Sequence, residues 1–159
     1  MSAYPDWVWL VPGNNHEQLN RLYIEFVENS VSIPDESTDA LCKMAQEFKI
    51  NVVIGINERN IEASHASLYN TLLYIDDLGN ILGKHRKLVP TSAERTVWSQ
   101  GDGSTLQVYA TSVGLIGGLI CWENYMPLAR TALYGWGIQI YVAPTWDYGG
   151  IWTTTLQHI

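Results

Sequence analysis

Cysteine is scarce in this 159-residue chain: Cys42 and Cys121 are the whole supply. Two such widely spaced residues build no disulfide framework. Asn-x-Ser/Thr is absent, so nothing marks a glycosylated surface. No apolar run approaches the ~18 residues of a membrane span. Met1–Leu10 carries Pro5 and Asp6 and lacks a basic segment, unlike a signal peptide. The default setting is therefore reducing and cytoplasmic. Positive charge is also short, with nine Lys and Arg against sixteen Asp and Glu, a formal net of −7. That balance argues against nucleic acid or an anionic membrane as partner. Charged residues are 16% and hydrophobic residues 47%, which excludes a disordered chain. Phenylalanine is rare (two), yet there are seven Trp and nine Tyr. Rings with polar edges suit pocket walls and interfaces, although large core fillers give the same composition.

The length fits one domain with a sizeable core. Apolar residues at three- and four-residue steps (Leu19, Leu22, Tyr23, Phe26, Val27) predict a helix from His16 to about Ser30. A second runs from Ser37 to Phe48 with a stripe of Leu41, Met44, Ala45 and Phe48, capped by Asp35 or Ser37. Asn51–Ile56 reads as a buried strand. Ser67–Ile75 and Ile81–Lys87 read as a hairpin about an Asp-Leu-Gly-Asn turn. Leu88–Ser104 reads as a long polar loop, and Thr105–Ala110 with Val113–Cys121 as a second strand pair. A helix capped by Asn124 and running to about Tyr134, a strand at Ile138–Ala143 and a helix beginning near Thr153 complete an α/β layered order with mixed strand directions.

Cys121 is the sharpest chemical feature. It ends an apolar strand and precedes a predicted helix, whose free N–H groups and positive dipole end favour a nucleophilic sulfur. A buried structural cysteine is the alternative. Cys42 lies on an apolar helix face and reads as core. Lys84-His85-Arg86-Lys87 is the one dense basic patch, read either as a solvated strand end or as the source of a lysine that stabilises developing negative charge. Gly101-Asp102-Gly103-Ser104 lacks the lysine and spacing of a phosphate loop and reads as a turn. Gly114, Gly117 and Gly118 lie inside a strand and form no dinucleotide fingerprint. Four scattered histidines give no metal site.

Taken together, His85-Arg86-Lys87-Leu88-Val89-Pro90-Thr91, Glu94-Arg95-Thr96-Val97-Trp98, Gly101-Asp102-Gly103-Ser104 and Cys121-Trp122-Glu123 resemble the nitrilase branch of the carbon–nitrogen hydrolase superfamily. Ala3-Tyr4-Pro5 resembles that family's Gly-Tyr-Pro segment, and Val53, Gly55, Glu58 and Arg59 its strand after the second helix. The resemblance covers almost the whole chain. It implies a four-layer α-β-β-α sandwich, of which residues 1–159 would be a partial domain. An N-terminal strand–helix–strand unit and a C-terminal portion would lie outside it. It also implies a Glu–Lys–Cys triad without a cofactor. Cys121 matches the nucleophile, Lys87 the lysine, and Glu94 a second glutamate that positions lysine or substrate. Trp122 and Glu123 follow the cysteine as in true nitrilases and, with Trp146, are candidate pocket residues. Trp7, Trp9 and Trp152 are further candidates for the pocket wall. The family's first glutamate falls in a Pro-Glu segment ahead of Gly-Tyr-Pro and has no counterpart here, so the 159 residues alone are expected to show little activity.

The implied reaction converts a small organic nitrile to a carboxylic acid and ammonia through a thioimidate and a thioester on cysteine. An amidase, a cyanide hydratase or dihydratase, and a non-catalytic subunit that only assembles with partners are the alternatives. Family resemblance further implies a homo-oligomer, a dimer or spiral filament; the helix spanning Tyr125–Trp136 reads either as its contact or as a plain core helix.

Overall fold

The computed structural model describes residues 4–62, 64–147 and 149–159; Ala3, the first residue of the Gly-Tyr-Pro-like segment, lies outside them. A single helical turn, α1 (Trp7–Leu10), breaks the otherwise irregular start. Helix α2 (His16–Glu28) begins at Asn15, whose side chain accepts the Gln18 amide. It ends two residues before the expected Ser30 because Val31 is taken by a strand. The Val31 amide donates to Asn57 O at 2.8 Å, and Val31 O accepts from Arg59. Helix α3 (Glu36–Phe48) starts with a reciprocal cap: Asp35 accepts the Thr38 amide at 3.0 Å, and Thr38 Oγ1 accepts the Asp35 amide at 2.7 Å. Its buried side is Leu41, Cys42 and Ala45, whereas Met44 and Phe48 of the expected stripe are exposed.

Strands β1 (Val52–Asn60), β2 (Ser67–Ile75) and β3 (Ile81–Arg86) form an antiparallel meander. β2 has the bounds expected from sequence; β1 continues to Asn60, paired with Ser67. The β2–β3 turn is tied by Asp76, which accepts the Leu78 and Asn80 amides. Gly79 sits there at φ 83°, and a β-carbon would lie 2.6 Å from Cys42 O, so the turn and α3 touch through a missing side chain.

Side chains alternate across this sheet. Ile56, Leu73 and Ile75 face Val31 and Ala45 of the helical layer. Leu72 and Tyr74 face the other way, onto Ile116 and Ile120. Those belong to a second sheet, in which β5 (Gly114–Gly118) pairs antiparallel with β4 (Tyr109–Thr111) and parallel with β6 (Ile140–Val142). The crossover from β5 to β6 runs through α4 (Pro127–Gly135), whose Ala129 and Leu133 pack with Leu106 and Leu119 on the outer face. The layers are thus helices, sheet, sheet, helix, the expected α-β-β-α order. A last helix, α5 (Gly150–His158), buries Trp152.

The second sheet is shorter than its apolar runs. Thr105 closes a 3₁₀ turn (Gly103–Thr105) and its hydroxyl accepts the Arg86 amide, so it does not extend β4. Asn124 does not cap α4: its side-chain amide donates to Leu119 O and Cys121 O and accepts from the Tyr141 hydroxyl, and the helix starts three residues later at Pro127. No helix among the described residues is long and apolar enough to cross a membrane.

Candidate active site

The basic segment Lys84–Lys87 is not a solvated strand end. Because β3 alternates, Lys84 and Arg86 turn to the helical side, and both bind the Glu58 carboxylate of β1. Thr71 of β2 donates to it as well, at 2.8 Å, so one buried carboxylate bridges three strands. The Arg86 guanidinium also lies 4.0 Å from the Tyr69 ring centroid. His85 and Lys87 point into the space between the sheets, and each is 1% exposed.

Lys87 Nζ donates to Glu94 Oε2 at 2.6 Å and to Thr91 Oγ1 at 3.3 Å. Glu94 is carried on a 3₁₀ turn (Ser92–Thr96) that interrupts the expected loop. Its Oε2 accepts the Thr91 amide too, and its Oε1 accepts the Tyr4 hydroxyl at 2.9 Å. Burial pushes the Tyr4 phenol well above its ordinary pKa, and adjacent Glu94 adds to the rise against an opposing bond from Trp9. The hydroxyl therefore stays protonated and available to Glu94. Tyr4 stacks on Trp146 at 4.9 Å and meets the edge of Trp98 at 5.6 Å.

Cys121 follows β5 after two further residues and adopts a left-handed backbone, φ 54°. This sharp reversal turns the sulfur out of the sheet layer and into a cavity of about 220 Å³ that Tyr4, Glu94, Trp98 and Trp146 also line. The cysteine faces a second, larger hollow of about 510 Å³, shared with Tyr4, Glu94, Trp9, Trp122 and Trp146. Cys121, Glu94 and, through Glu94, Lys87 are thus brought together.

The element after Cys121 is a five-residue 3₁₀ turn (Cys121–Tyr125), not the helix start expected from sequence. A carboxylate does the local capping: Glu123 accepts the Ile120 amide at 2.7 Å and the Leu88 amide at 2.7 Å, and lies 3.0 Å from His85 Nε2. Glu123, expected on the pocket wall, is 2% exposed and lies beneath the Cys121 turn, which it ties to β3. Trp122 points the other way into the larger hollow, its indole N–H held by Asp147 at 2.9 Å. Trp146 borders both hollows and Trp9 the larger one. Trp7 packs on Phe26 and Trp152 on Tyr125 instead. Sequence reasoning missed Thr145, whose hydroxyl donates to Cys121 Sγ at 3.1 Å; a lone threonine after a strand carries no motif. Cys42 packs at the margin of the helix-side core. Among the described residues no group of three His, Cys, Asp or Glu side chains is placed to hold a metal ion.

A buried lysine–glutamate pair beside an exposed-facing cysteine on a strained turn is the equipment of nucleophilic attack on a polarised carbon. The chain belongs to the carbon–nitrogen hydrolase family, which it matches over residues 8–159. It is 45% identical over 147 residues to a bifunctional nitrilase/nitrile hydratase, NIT4, of Oryza sativa subsp. japonica, covering 92% of this chain and 40% of that protein. It is 43% identical over 150 residues to nitrilase 3 of Arabidopsis thaliana, covering 94% and 42%. The chain therefore spans about two fifths of the length of these curated relatives. Among solved structures, Saccharomyces cerevisiae Nit3, a member of branch 10 of the nitrilase superfamily, superposes with a TM-score of 0.70 over 86% of this chain and 50% of that one, at 24% identity. That likeness shows the shared fold.

Proposed function

We propose that this chain carries the nucleophile half of a nitrilase site, which hydrolyses a small organic nitrile to a carboxylic acid and ammonia. The observation that carries the reading is the shared enclosure of Cys121 and Glu94, with Lys87 held on Glu94 at 2.6 Å. Cys121 Sγ adds to the nitrile carbon and the nitrogen takes up a proton, giving a thioimidate. Water adds to that carbon, the C–N bond breaks, ammonia leaves and a thioester remains. A second water displaces sulfur, releasing the acid and restoring the thiol. Lys87 supplies positive charge where negative charge builds on nitrogen or oxygen. Glu94 accepts the lysine, the Thr91 amide and the Tyr4 hydroxyl together, and so holds the ammonium in one place. The general base of the scheme is the first glutamate implied by the family resemblance, which no residue of 1–159 matches.

Nitrile hydratase activity is the second reading, favoured by the printed name of the rice relative. It differs by releasing an amide, after one water has added, in place of the acid and ammonia. We also assign self-association to α4, where Leu128 is 84% exposed and Tyr134 and, just past the helix end, Trp136 are half-exposed. The experiment is Cys121→Ala in the protein that carries these residues, with acid, ammonia and amide measured on a panel of nitriles and matched amides. All three products should vanish while circular dichroism is unchanged. Turnover retained in the variant overturns the reading, and preference for the amides would assign an amidase.

A further inference from the structure

Thr145 has no part in the chemistry assigned above, yet its hydroxyl is the group closest bound to the nucleophile. Its oxygen accepts the Asp147 amide at 2.9 Å. That bond engages the oxygen, leaving its one proton for Cys121 Sγ at 3.1 Å. The same short loop grips the cysteine turn twice more. Pro144 O accepts the Cys121 amide at 2.8 Å, and Asp147 Oδ2 accepts the Trp122 indole N–H at 2.9 Å. Asp147 is itself fixed by the Gly149 amide on its other oxygen, at 2.7 Å. The grip falls where it is needed. Cys121 holds φ 54°, a conformation that a residue with a β-carbon keeps only when its surroundings over-determine it.

We propose that Thr145 is a positioning residue for the nucleophile. Its hydroxyl donates to Cys121 Sγ, fixes the sulfur's direction into the cavity and stabilises negative charge on it. The segment 144–147 is the clasp that delivers it, fastened at the cysteine amide, the cysteine sulfur and the following indole. A hydrogen bond to an ionised sulfur raises the share of the attacking form and lowers its intrinsic nucleophilicity by a smaller factor. Removing it should slow attack by about three- to tenfold at neutral pH.

Alkylation by iodoacetamide, followed residue by residue with mass spectrometry, tests this in the protein that carries these residues without relying on hydrolysis. Cys42 is the internal reference: burial, then Asp39 and Asp76, push its thiol up and keep it slow. Thr145→Val and Thr145→Ala should slow Cys121 about three- to tenfold relative to Cys42, whereas Thr145→Ser should keep the native rate. If valine also exposes Cys42, the alanine and serine variants carry the comparison. Equal Cys121 rates with and without the hydroxyl, or a serine variant as slow as alanine, overturn the proposal. A native Cys121 no faster than Cys42 would instead overturn the nucleophile reading on which the proposal rests.

Discussion

Replacing Glu58 with glutamine should cost more stability than any other single loss of charge in the first sheet. Its carboxylate accepts Thr71 Oγ1 at 2.8 Å, Lys84 Nζ at 2.5 Å and Arg86 Nε at 2.9 Å, with a second bond from Arg86 Nη2. Breaking a buried ion pair from one side costs about 3–5 kcal/mol, because it strands the partner charge. Here the strand geometry softens the loss. Lys84 and Arg86 side chains are 29% and 20% exposed, so both heads can regain water. Glutamine also keeps one oxygen for Thr71. The lower end, about 3 kcal/mol, is expected. With a urea slope of about 2 kcal/mol per molar, the midpoint should fall by about 1.5 M. Tryptophan fluorescence during urea titration reads this directly. A loss below about 1 kcal/mol would mean that the three groups behave as an ordinary surface cluster, and would refute the reasoning.

The same variant has a pH signature. Burial raises the Glu58 pKa, but the bonds from Arg86 and Lys84, and that from Thr71, outweigh it, and the net value lies below the ordinary 4.5. A carboxyl group depressed on folding stabilises fully above its unfolded value, and that contribution is lost as pH falls through the folded value. The stability gap between native protein and Glu58→Gln should therefore be full at neutral pH and shrink below pH 4.5. A gap that widens on acidification would contradict the direction of the shift.

Three other perturbations follow from the same geometry. Gly118→Ala places a β-carbon 2.2 Å from Val142 O, so β5 and β6 must part, at a cost of about 1–3 kcal/mol or more and with disturbance of the Cys121 turn; thermal melting and Cys121 alkylation should change together. Asp35→Ala removes the cap of α3 far from the site and should lower stability by about 1 kcal/mol, or a Tm about 2–4 °C lower, with Cys121 alkylation untouched. On the nitrilase reading proposed above, Glu94→Gln in the protein that carries these residues keeps shape but removes the charge that holds Lys87, and should lower kcat/KM for nitriles about a hundredfold with circular dichroism unchanged. A kcat/KM within about threefold of native would remove Glu94 from the site.

What the sequence made legible was local. Asp76 and Asn80 write the hairpin turn in their side chains and Gly79 in its lack of one, so β2 is readable to the residue. Asp35 and Thr38 cap α3 within four positions, and only the choice between two candidate caps needed coordinates. What stayed illegible was every decision made across the chain. The apolar run through Ile120 looks like strand to its end, but Glu123 takes the Ile120 amide and helps bend the chain into a 3₁₀ turn. Asn124 has the chemistry of a helix cap, but its oxygen accepts the Tyr141 hydroxyl and its amide donates to the Leu119 and Cys121 carbonyls. Thr145 is 24 positions from the sulfur it serves. Motif order singled out Cys121, Lys87 and Glu94 as candidates, and could not show that Glu123 lies beneath the pocket and not on its wall.

The four consecutive basic residues Lys84–Lys87, three in β3 and one just after it, explain why this limit falls at the site. Read along the chain they are a single patch of charge; across the sheet they are two pairs serving opposite faces. Lys84 and Arg86 meet Glu58 on the helical side, while His85 and Lys87 meet Glu123 and Glu94 between the sheets. A slip of β3 by one residue would exchange the pairs. Lys84 and Arg86 would be driven between the sheets, and the Lys87 ammonium would leave Glu94 for the helical face. Glu58 therefore guards the register that delivers Lys87, although it lies on the opposite face. The contacts on the two faces are coupled through the backbone of β3 and the residue that follows it, so the stability of the first sheet and the placement of the Lys87 ammonium are set by the same choice.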